Sequence, residues 1–248
     1  MLDISGIRPE TRYGIPSADQ VLYNRQYIVG YSYLFRQPRW ALQLIDPISQ
    51  RKDEDNVERQ NNFRNDPRVP EMFQASAYDY RRSGYDRGHL ISSKDRMQRT
   101  VVNSETFLMS NMCPQHPTVN RFTWLKLEHA VRELAQMDEY LEVYTICGPI
   151  FDIGHKIQAV GKNRVMIPSA YFKSVLAENK KGRLALWSFV MPNKDVGRNV
   201  DVKTFLTPTE KVEWLAGLIL WDKLHGDQIS AQKASKGTMW SIPKTDDD

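Results

Sequence analysis

The residue of this sequence best suited to acid–base chemistry is His89, which follows Arg87 and Gly88 in the segment 84–90. In an extended segment Arg87 and His89 would point to the same face, because strand side chains alternate. A cation beside a histidine lowers its pKa and favours the neutral imidazole, the form that a general base needs. Gly88 would leave room for the backbone of a ligand. A single histidine is more often structural than catalytic, so this prediction depends on partner residues elsewhere.

Two such partners lie further along the chain, Asn120 and Glu128. Asn120 falls where a helix is predicted to begin, so it could also be a simple N-cap. Eight helical residues separate the two side chains by about 80° in azimuth and about 12 Å along the axis. They can border one cleft, but both cannot bind one ion directly. One would bind a metal directly and the other through water, an arrangement that suits magnesium because this ion retains several waters.

The charge of the chain is concentrated in one window, residues 81–100. Its cations exceed its anions by four, which equals the net charge of +4 of the whole chain. Such a window is either a solvated charged loop or a surface for an anionic partner such as nucleic acid. The six cations are Arg81, Arg82, Arg87, Lys94, Arg96 and Arg99.

The cysteines and the apolar runs exclude several protein classes. Cys113 and Cys147 are the two cysteines, and they show no zinc-finger spacing. A disulfide between them stays open, although the apolar run around Cys147 favours a buried free thiol. No apolar run reaches the roughly 18 residues of a membrane span. No secretory signal is visible either, so the compartment is left undetermined; a trimmed presequence would make it secreted, periplasmic or organellar.

The elements that must position these residues form a mixed pattern. Residues 27–33 and 40–45 predict paired strands joined by a polar corner at 36–39, and residues 49–79 predict a long irregular loop of functional type. An apolar stripe at helical spacing predicts a helix over 121–137. Further strands are predicted at 141–147, 164–167, 171–177 and 183–191.

A second helix is predicted after Thr207, with Thr207 as N-cap, Pro208 as first helical residue and Glu210 completing a capping box. The pattern lacks regular β–α alternation and predicts an α+β fold. We expect one domain over residues 1–248, with a core of about 12–220 and a polar tail of about 226–248 that is partly disordered.

The motif residues resemble those of the DNA/RNA non-specific endonucleases, which are ββα-metal (His-Me finger) nucleases of the endonuclease G type. Residues 79–85 and 12–16 add to the likeness. The residues that carry it are Asp86-Arg87-Gly88-His89, Ser110-Asn111, Pro114-Gln115, Asn120-x-x-x-Trp124 and Leu127-Glu128. The resemblance implies a central antiparallel sheet flanked by helices, and cleavage of DNA and RNA that leaves 5′-phosphate ends.

The resemblance also implies a role for each matched residue. His89 would be the general base, and Asn120 the sole direct protein ligand of Mg²⁺, for which Mn²⁺ is a possible substitute. Glu128 would act on the metal through a water molecule, and Asn111 would organise the site around His89. Arg87 would neutralise the phosphate as charge develops on it.

An upstream arginine would help Arg87, and we assign this role to Arg59. The competing residues are Arg51, Arg64 and Arg68. Contacts to the phosphates of nucleic acid are expected from a second set, which consists of Arg81, Arg82, Lys94, Arg96 and Arg121. DNA and RNA are the expected partners, and a second copy of the chain and an inhibitor protein are further candidates, with no membrane involved.

Two alternatives stay open at this point. A non-catalytic nucleic-acid-binding protein would explain the basic window, but it gives no reason for His89, Asn120 and Glu128 to occur together. A zinc hydrolase would need three or four His, Cys or carboxylate ligands, and no pair of histidines has the i, i+4 spacing.

Overall fold

The computed structural model describes residues 8–45 and 57–241. Within these ranges the chain forms eleven strands and four α-helices. In chain order the strands are β1 (Gln20–Tyr23), β2 (Ile28–Ser32), β3 (Gln37–Ile45), β4 (Asp86–His89), β5 (Met112–Gln115), β6 (Tyr140–Ile150), β7 (Ala159–Val160), β8 (Val165–Met166), β9 (Ala170–Asn179), β10 (Leu184–Pro192) and β11 (Leu206–Thr207). The helices are α1 (Thr100–Glu105), α2 (Trp124–Gln136), α3 (Thr209–Ala216) and α4 (Asp227–Ala234).

Seven of the strands build one antiparallel sheet in the order β1-β2-β3-β6-β9-β10-β11. The predicted pairing of residues 27–33 with 40–45 is confirmed in β2 and β3, where Ile28 faces Leu42. The turn lies at 33–36, earlier than the predicted corner, and Pro38 belongs to β3. A bulge between Gly30 and Tyr31 accommodates the extra residue. The strands predicted in the C-terminal half are confirmed as β6, β8, β9 and β10.

Helices cover the two faces of this sheet, which accounts for the two apolar cores. The long middle strands β6 and β9 are buried on both faces, as expected when each face is covered. On one face, Leu127, Val131 and Leu134 of α2 pack against β6 and β9. On the other, Val212 of α3 and the following Trp221 fill a second core. The predicted α+β class is therefore confirmed, with α2 on one face and α3 on the other.

The start of α3 differs from the prediction. Thr207 ends strand β11, its hydroxyl donates to the carbonyl oxygen of Phe205, and α3 begins at Thr209 without a side-chain cap. The predicted capping box is wrong because Thr207 pairs with β10 at the edge of the sheet and does not cap α3.

The C-terminal segment is more structured than its polar composition predicted. Residues 227–234 form α4, and Trp240 is buried in the core beside α2, where its indole donates to the carbonyl oxygen of Ala130. Residues 242–248 lie outside the described residues. Among the described helices, none is long and apolar enough to cross a membrane.

Candidate active site

A small hairpin and the start of α2 together hold the residues that the sequence singled out. Strand β4 carries Asp86–His89 and pairs antiparallel with β5, placing His89 opposite Met112. The chain then enters α2 through a π-helical turn over Val119–Thr123. These elements enclose a cavity of about 170 Å³. Its lining includes Arg59, Arg87, His89, Lys94, Asn120 and Glu128, together with Ser92, Ser93, Trp124 and Leu125.

His89 sits in an apolar cage on one wall of this cavity. Its ring packs edge-on against Phe63 and Phe107, with ring centroids 5.7 and 5.0 Å away. Burial is the main cause that lowers the pKa of His89 to about 3, and the positive charges of Arg59 and Arg87 contribute to the same shift. The predicted direction is confirmed, but burial rather than the neighbouring cation is the main cause. His89 is therefore neutral at physiological pH, as a general base must be.

One ring nitrogen of His89 is buried without a hydrogen-bond partner. This atom is Nε2, and it has no partner among the described residues. Leaving a buried polar atom without a hydrogen bond destabilises the folded state, so such an atom calls for an explanation in function. In the described part of the chain the imidazole makes no hydrogen bond to a carboxylate. Burial and the nearby charges of Arg59 and Arg87 keep it neutral.

Arg87 lies on the cavity side of β4 with its guanidinium stacked on Phe63. The Cζ atom is 4.0 Å from the ring centroid, a cation–π contact that holds the guanidinium while its donors stay exposed. Phe63, which was not among the predicted site residues, contacts both Arg87 and His89. Phe63 lies in the irregular loop before the hairpin, where no periodicity singles out a residue.

Gly88 is needed for a different reason from the predicted one. A Cβ atom at Gly88 would lie 2.3 Å from Oε1 of Gln115 on the paired strand. Gly88 therefore makes room for the hairpin's own side chain, and the prediction that it admits a ligand backbone is wrong.

Asn120 is the second central residue, and it lies within the π-helical turn. It is not an N-cap, because Thr118 precedes the turn and Thr123 precedes α2. Its Nδ2 donates to Asp86 over 2.9 Å. This bond assigns the nitrogen and leaves the carbonyl oxygen as the atom that can bind a cation. π-helical turns widen a helix and are frequent at functional sites, and the ideal-helix spacing assumed from the sequence does not apply here.

Arg121 and Asp86 fasten this arrangement from outside. Arg121 donates through Nε and Nη2 to the two carboxylate oxygens of Asp86, over 2.8 and 2.7 Å. Burial opposes ionisation of Asp86, but hydrogen bonds from Arg121 and Asn120 hold its pKa below the ordinary value. Asp86 therefore remains an acceptor that orients the amide of Asn120.

Glu128 lies in the wall of the cavity, where it is only 8% exposed. Burial raises its pKa to about 7, and the nearby charge of Lys173 partly opposes this. Lys173 is itself buried in β9, with its ammonium 4.5 Å from the centre of the Trp124 ring. Lys173 was not among the predicted site residues, since a lysine within a strand is ordinarily exposed. A carboxyl group with a raised pKa is one that gains from a cation placed beside it.

Asn111 supports the strand end behind His89. Its carbonyl oxygen accepts from the backbone nitrogen of Ile91 over 3.0 Å, and its amide donates to the carbonyl oxygens of Ile91 and Thr106. Asn111 is completely buried. It fixes the backbone immediately after His89 and does not line the cavity.

Among the upstream arginines, the structure brings Arg59 to the cavity. Its Nη1 donates to Ser93 over 3.1 Å, and its guanidinium lies 5.1 Å from the Phe107 ring centre. Arg64 instead donates to backbone carbonyls of the surrounding loop, and Arg68 is paired with Asp66. Arg51 lies outside the described residues.

The basic window divides into exposed and buried residues. Arg81, Arg82 and Lys94 are exposed, and Lys94 borders the cavity. Arg96 is 1% exposed and donates to the carbonyl oxygens of Gln26 and Leu44. The prediction that Arg96 binds nucleic acid is wrong, because its guanidinium joins segments of the protein interior.

The donor set of the cavity fits a hard cation with few protein ligands. Within residues 8–45 and 57–241, no three His, Cys, Asp or Glu side chains are grouped so that they could hold a metal. This disfavours zinc, which takes several such ligands. One amide oxygen and one buried carboxyl suit Mg²⁺, which keeps most of its waters.

Both cysteines are buried and free, so the open question of a disulfide is settled in favour of two thiols.

Comparison with known proteins gives matches along most of the chain. A sequence model of the DNA/RNA non-specific endonucleases matches residues 6–227. The mitochondrial endonuclease G of Homo sapiens is 33% identical over 216 residues, covering 84% of this chain and 71% of that protein. The mitochondrial nuclease 1 of Schizosaccharomyces pombe is 34% identical over 226 residues, covering 84% and 68%. A crystal structure of an EndoG/EndoGI complex contains a chain of 30% identity and TM-score 0.83, with 91% and 95% coverage.

Proposed function

Because the chain belongs to the DNA/RNA non-specific endonuclease family, we propose that it hydrolyses internal phosphodiester bonds of both DNA and RNA with Mg²⁺ as cofactor. The chain is a nuclease with the ββα-metal fold, which sets aside the alternative of a non-catalytic binding protein. One observation carries the proposed mechanism: His89, Asn120, Glu128 and two arginines line the same cavity.

His89 acts as the general base in this proposal. Its neutral imidazole accepts a proton from the water that attacks phosphorus, and its depressed pKa keeps it unprotonated before the reaction. A positioned base of this kind contributes about 10²–10⁴-fold to the rate. The apolar cage of Phe63 and Phe107 fixes the ring, so no rearrangement is needed before proton transfer.

Arg87 and Arg59 stabilise the charge that builds on the phosphoryl oxygens. Both guanidinium groups border the cavity and are held by aromatic rings rather than by carboxylates. Their fork of donors matches the geometry of phosphate. Donors that are already in place when charge develops lower the barrier more than donors that must reorganise.

Asn120 would hold the Mg²⁺ ion through its carbonyl oxygen, and Glu128 would assist through a water molecule. The fit rests on the Asp86 bond that occupies the amide nitrogen and on the raised pKa of the buried Glu128. When bound, the metal supplies Lewis acidity to the phosphoryl and leaving oxygens. Departure of the 3′ oxygen leaves a 5′-phosphate end.

The breadth of substrate follows from which atoms the site addresses. In this proposal the catalytic residues act on the attacking water, the phosphate or the metal, and contacts to phosphate carry no base sequence. Cleavage of both DNA and RNA requires only that the 2′-hydroxyl be neither needed nor excluded. Exposed Arg81, Arg82 and Lys94 would guide the backbone towards the cavity.

A homodimer is the assembly that we propose. On the α3 face, away from the cavity, lies an apolar surface with an indentation of about 820 Å³. It presents Trp214, 81% exposed, and Ile153, 87% exposed. Exposed apolar patches of this kind mark interaction sites. Light scattering on wild type and Trp214→Glu tests it: the variant should be monomeric and still active, and a monomeric wild type would contradict the proposal.

Compartment and inhibitor are proposed from the relatives alone. Several relatives are named as mitochondrial nucleases, which supports an organellar location that imaging of the tagged protein would test. The EndoG/EndoGI complex supports an inhibitor that binds this type of nuclease. Competition between such an inhibitor and DNA on this chain would test it.

Digestion of supercoiled plasmid and of single-stranded RNA tests the function as a whole. Both should be cut internally with Mg²⁺, Mn²⁺ should substitute, and EDTA should stop both reactions. End labelling should find 5′-phosphates. Cleavage of only one substrate, or undiminished cleavage in EDTA, would contradict the proposal.

A further inference from the structure

A groove lined by tyrosines lies directly beside the proposed active site. It has a volume of about 430 Å³, and its walls include Tyr78, Tyr80, Tyr85 and Arg81. Arg87 lines both this groove and the catalytic cavity. The two spaces therefore meet at Arg87, and a nucleic-acid chain bound to Arg87 would lie next to both.

Tyr78 is the most exposed of these rings. It is 79% exposed, whereas Tyr80 is buried and Tyr85 partly buried in the small core behind the groove. A large aromatic ring left in solvent gains little from packing with its own protein. Its flat faces remain available to another π system.

The backbone that carries Tyr78 is firmly held. Residues 77–80 form a 3₁₀ turn capped by Ser76, whose hydroxyl accepts from the backbone nitrogen of Tyr78. The buried Asp79 in the same turn accepts from the backbone nitrogen of Asn163 over 3.0 Å and from its side chain over 2.9 Å. The ring is thus presented from a fixed base, which reduces the entropy lost when a ligand stacks on it.

Charge favours an anionic ligand in this groove. Arg81 and Arg87 line it, and exposed Arg82 lies next in the chain. The one carboxylate in the lining, Asp86, is already paired with Arg121. Aromatic rings interleaved with cations are the arrangement by which proteins bind single-stranded nucleic acid.

We propose that this groove is a base-stacking subsite, in which Tyr78 stacks on the base of a nucleotide next to the scissile phosphate. The proposal rests on the proposed nuclease function and adds a substrate contact to it. Stacking tolerates every base, so the subsite strengthens binding without introducing sequence preference. Bases within a duplex are already stacked on their neighbours, so the contact acts mainly on single strands and on RNA loops.

The experiment compares wild type, Tyr78→Ala, Tyr78→Phe and the control Tyr23→Ala. Tyr23 is also an exposed tyrosine, but it borders neither the groove nor the cavity. The substrate is a short single-stranded DNA with one cleavable phosphodiester, the other linkages being methylphosphonates. Matched substrates carry an abasic site immediately before or immediately after that phosphodiester.

Tyr78→Ala should raise KM about tenfold with kcat nearly unchanged, since one stacked base is worth roughly 5- to 150-fold in affinity. Tyr78→Phe and Tyr23→Ala should behave as wild type. One of the two abasic substrates should raise KM for wild type but not further for Tyr78→Ala. KM on a long duplex should change much less.

Two results would overturn the subsite while leaving the nuclease function intact. One is an unchanged KM for Tyr78→Ala on the single strand. The other is that each abasic site raises KM by the same factor in Tyr78→Ala as in wild type. If wild type cleaves none of these substrates in Mg²⁺, the proposed function fails, and the subsite fails with it.

Discussion

Lys94 and Arg96 provide a paired test, because they are two residues apart in one 3₁₀ turn and face opposite environments. Arg96 is buried and donates to the carbonyl oxygens of Gln26 over 2.8 Å and of Leu44 over 3.2 Å. Hydrogen bonds from a charged donor are worth about 1.5–3 kcal/mol each, so loss of these two in Arg96→Ala should destabilise the fold by about 3–6 kcal/mol. Lys94 is exposed at the cavity, and Lys94→Ala should change stability by less than about 0.5 kcal/mol.

The two variants should separate again in nucleic-acid binding. Lys94→Ala should flatten the dependence of log K on log salt by about 0.7–0.9, the value of one lost phosphate contact. Folded Arg96→Ala should keep the wild-type slope. Urea unfolding and the binding of a labelled oligonucleotide in EDTA at several salt concentrations measure both quantities. A stable Arg96→Ala protein with a flatter slope would refute the assignment of Arg96 to the interior.

Three further predictions concern the cavity itself. Asn120→Ala should lose activity and the stabilisation by Mg²⁺ in thermal unfolding while Asn120→Asp keeps part of both; an alanine variant that stays active would refute the ligand assignment. Arg87→Ala should lower kcat about 10²–10³-fold with lysine rescuing only part, since donors at developing charge act on the transition state; a change in KM alone would contradict this. Burial raises the pKa of Glu128 to about 7, so metal-free wild type should lose stability as pH rises from about 4.5 to 7. In Glu128→Gln this loss should be smaller by about 3 kcal/mol. If urea unfolding gives wild type and Glu128→Gln the same change in unfolding free energy between pH 5 and pH 8, the prediction is contradicted.

The grouping of four residues around one cavity could be predicted from the sequence because these residues lie in two short segments. His89 and Arg87 share one short strand, and Asn120 and Glu128 share one helical segment. Strand alternation acts over a few residues and can be read without the fold, whereas the π-helical turn changes the spacing that an ideal helix would give between Asn120 and Glu128. The apolar stripe of α2 likewise identified the helix that carries Glu128.

Tertiary contacts explain the predictions that failed. Besides the carbonyl oxygen of Asp95, the acceptors named for Arg96 lie 70 and 52 residues away in sequence, so the local sequence does not signal its burial. Thr207 was assigned to a helix cap on local grounds, but pairing with β10 makes it part of the sheet. A glycine is required at position 88 because the side chain of Gln115 on the opposite strand occupies the space of a Cβ atom.

The residues that were missed share the same cause. Phe63 contacts His89 and Arg87 from a loop without periodicity, and Lys173 is buried within β9. Their roles depend on which segments meet in space. The long loop was expected to be functional, and its described part does bring Arg59 and Phe63 to the site.

The central claim is that His89 is the base of a metal-dependent nuclease, and cleavage by His89→Ala tests it most directly. Plasmid cleavage in Mg²⁺ should fall by about 10²–10⁴-fold, because the proton acceptor is removed. Binding of a labelled oligonucleotide in EDTA should stay near the wild-type affinity, because no phosphate contact is lost. Cleavage within about threefold of wild type by a folded variant would contradict the account and remove His89 from the mechanism.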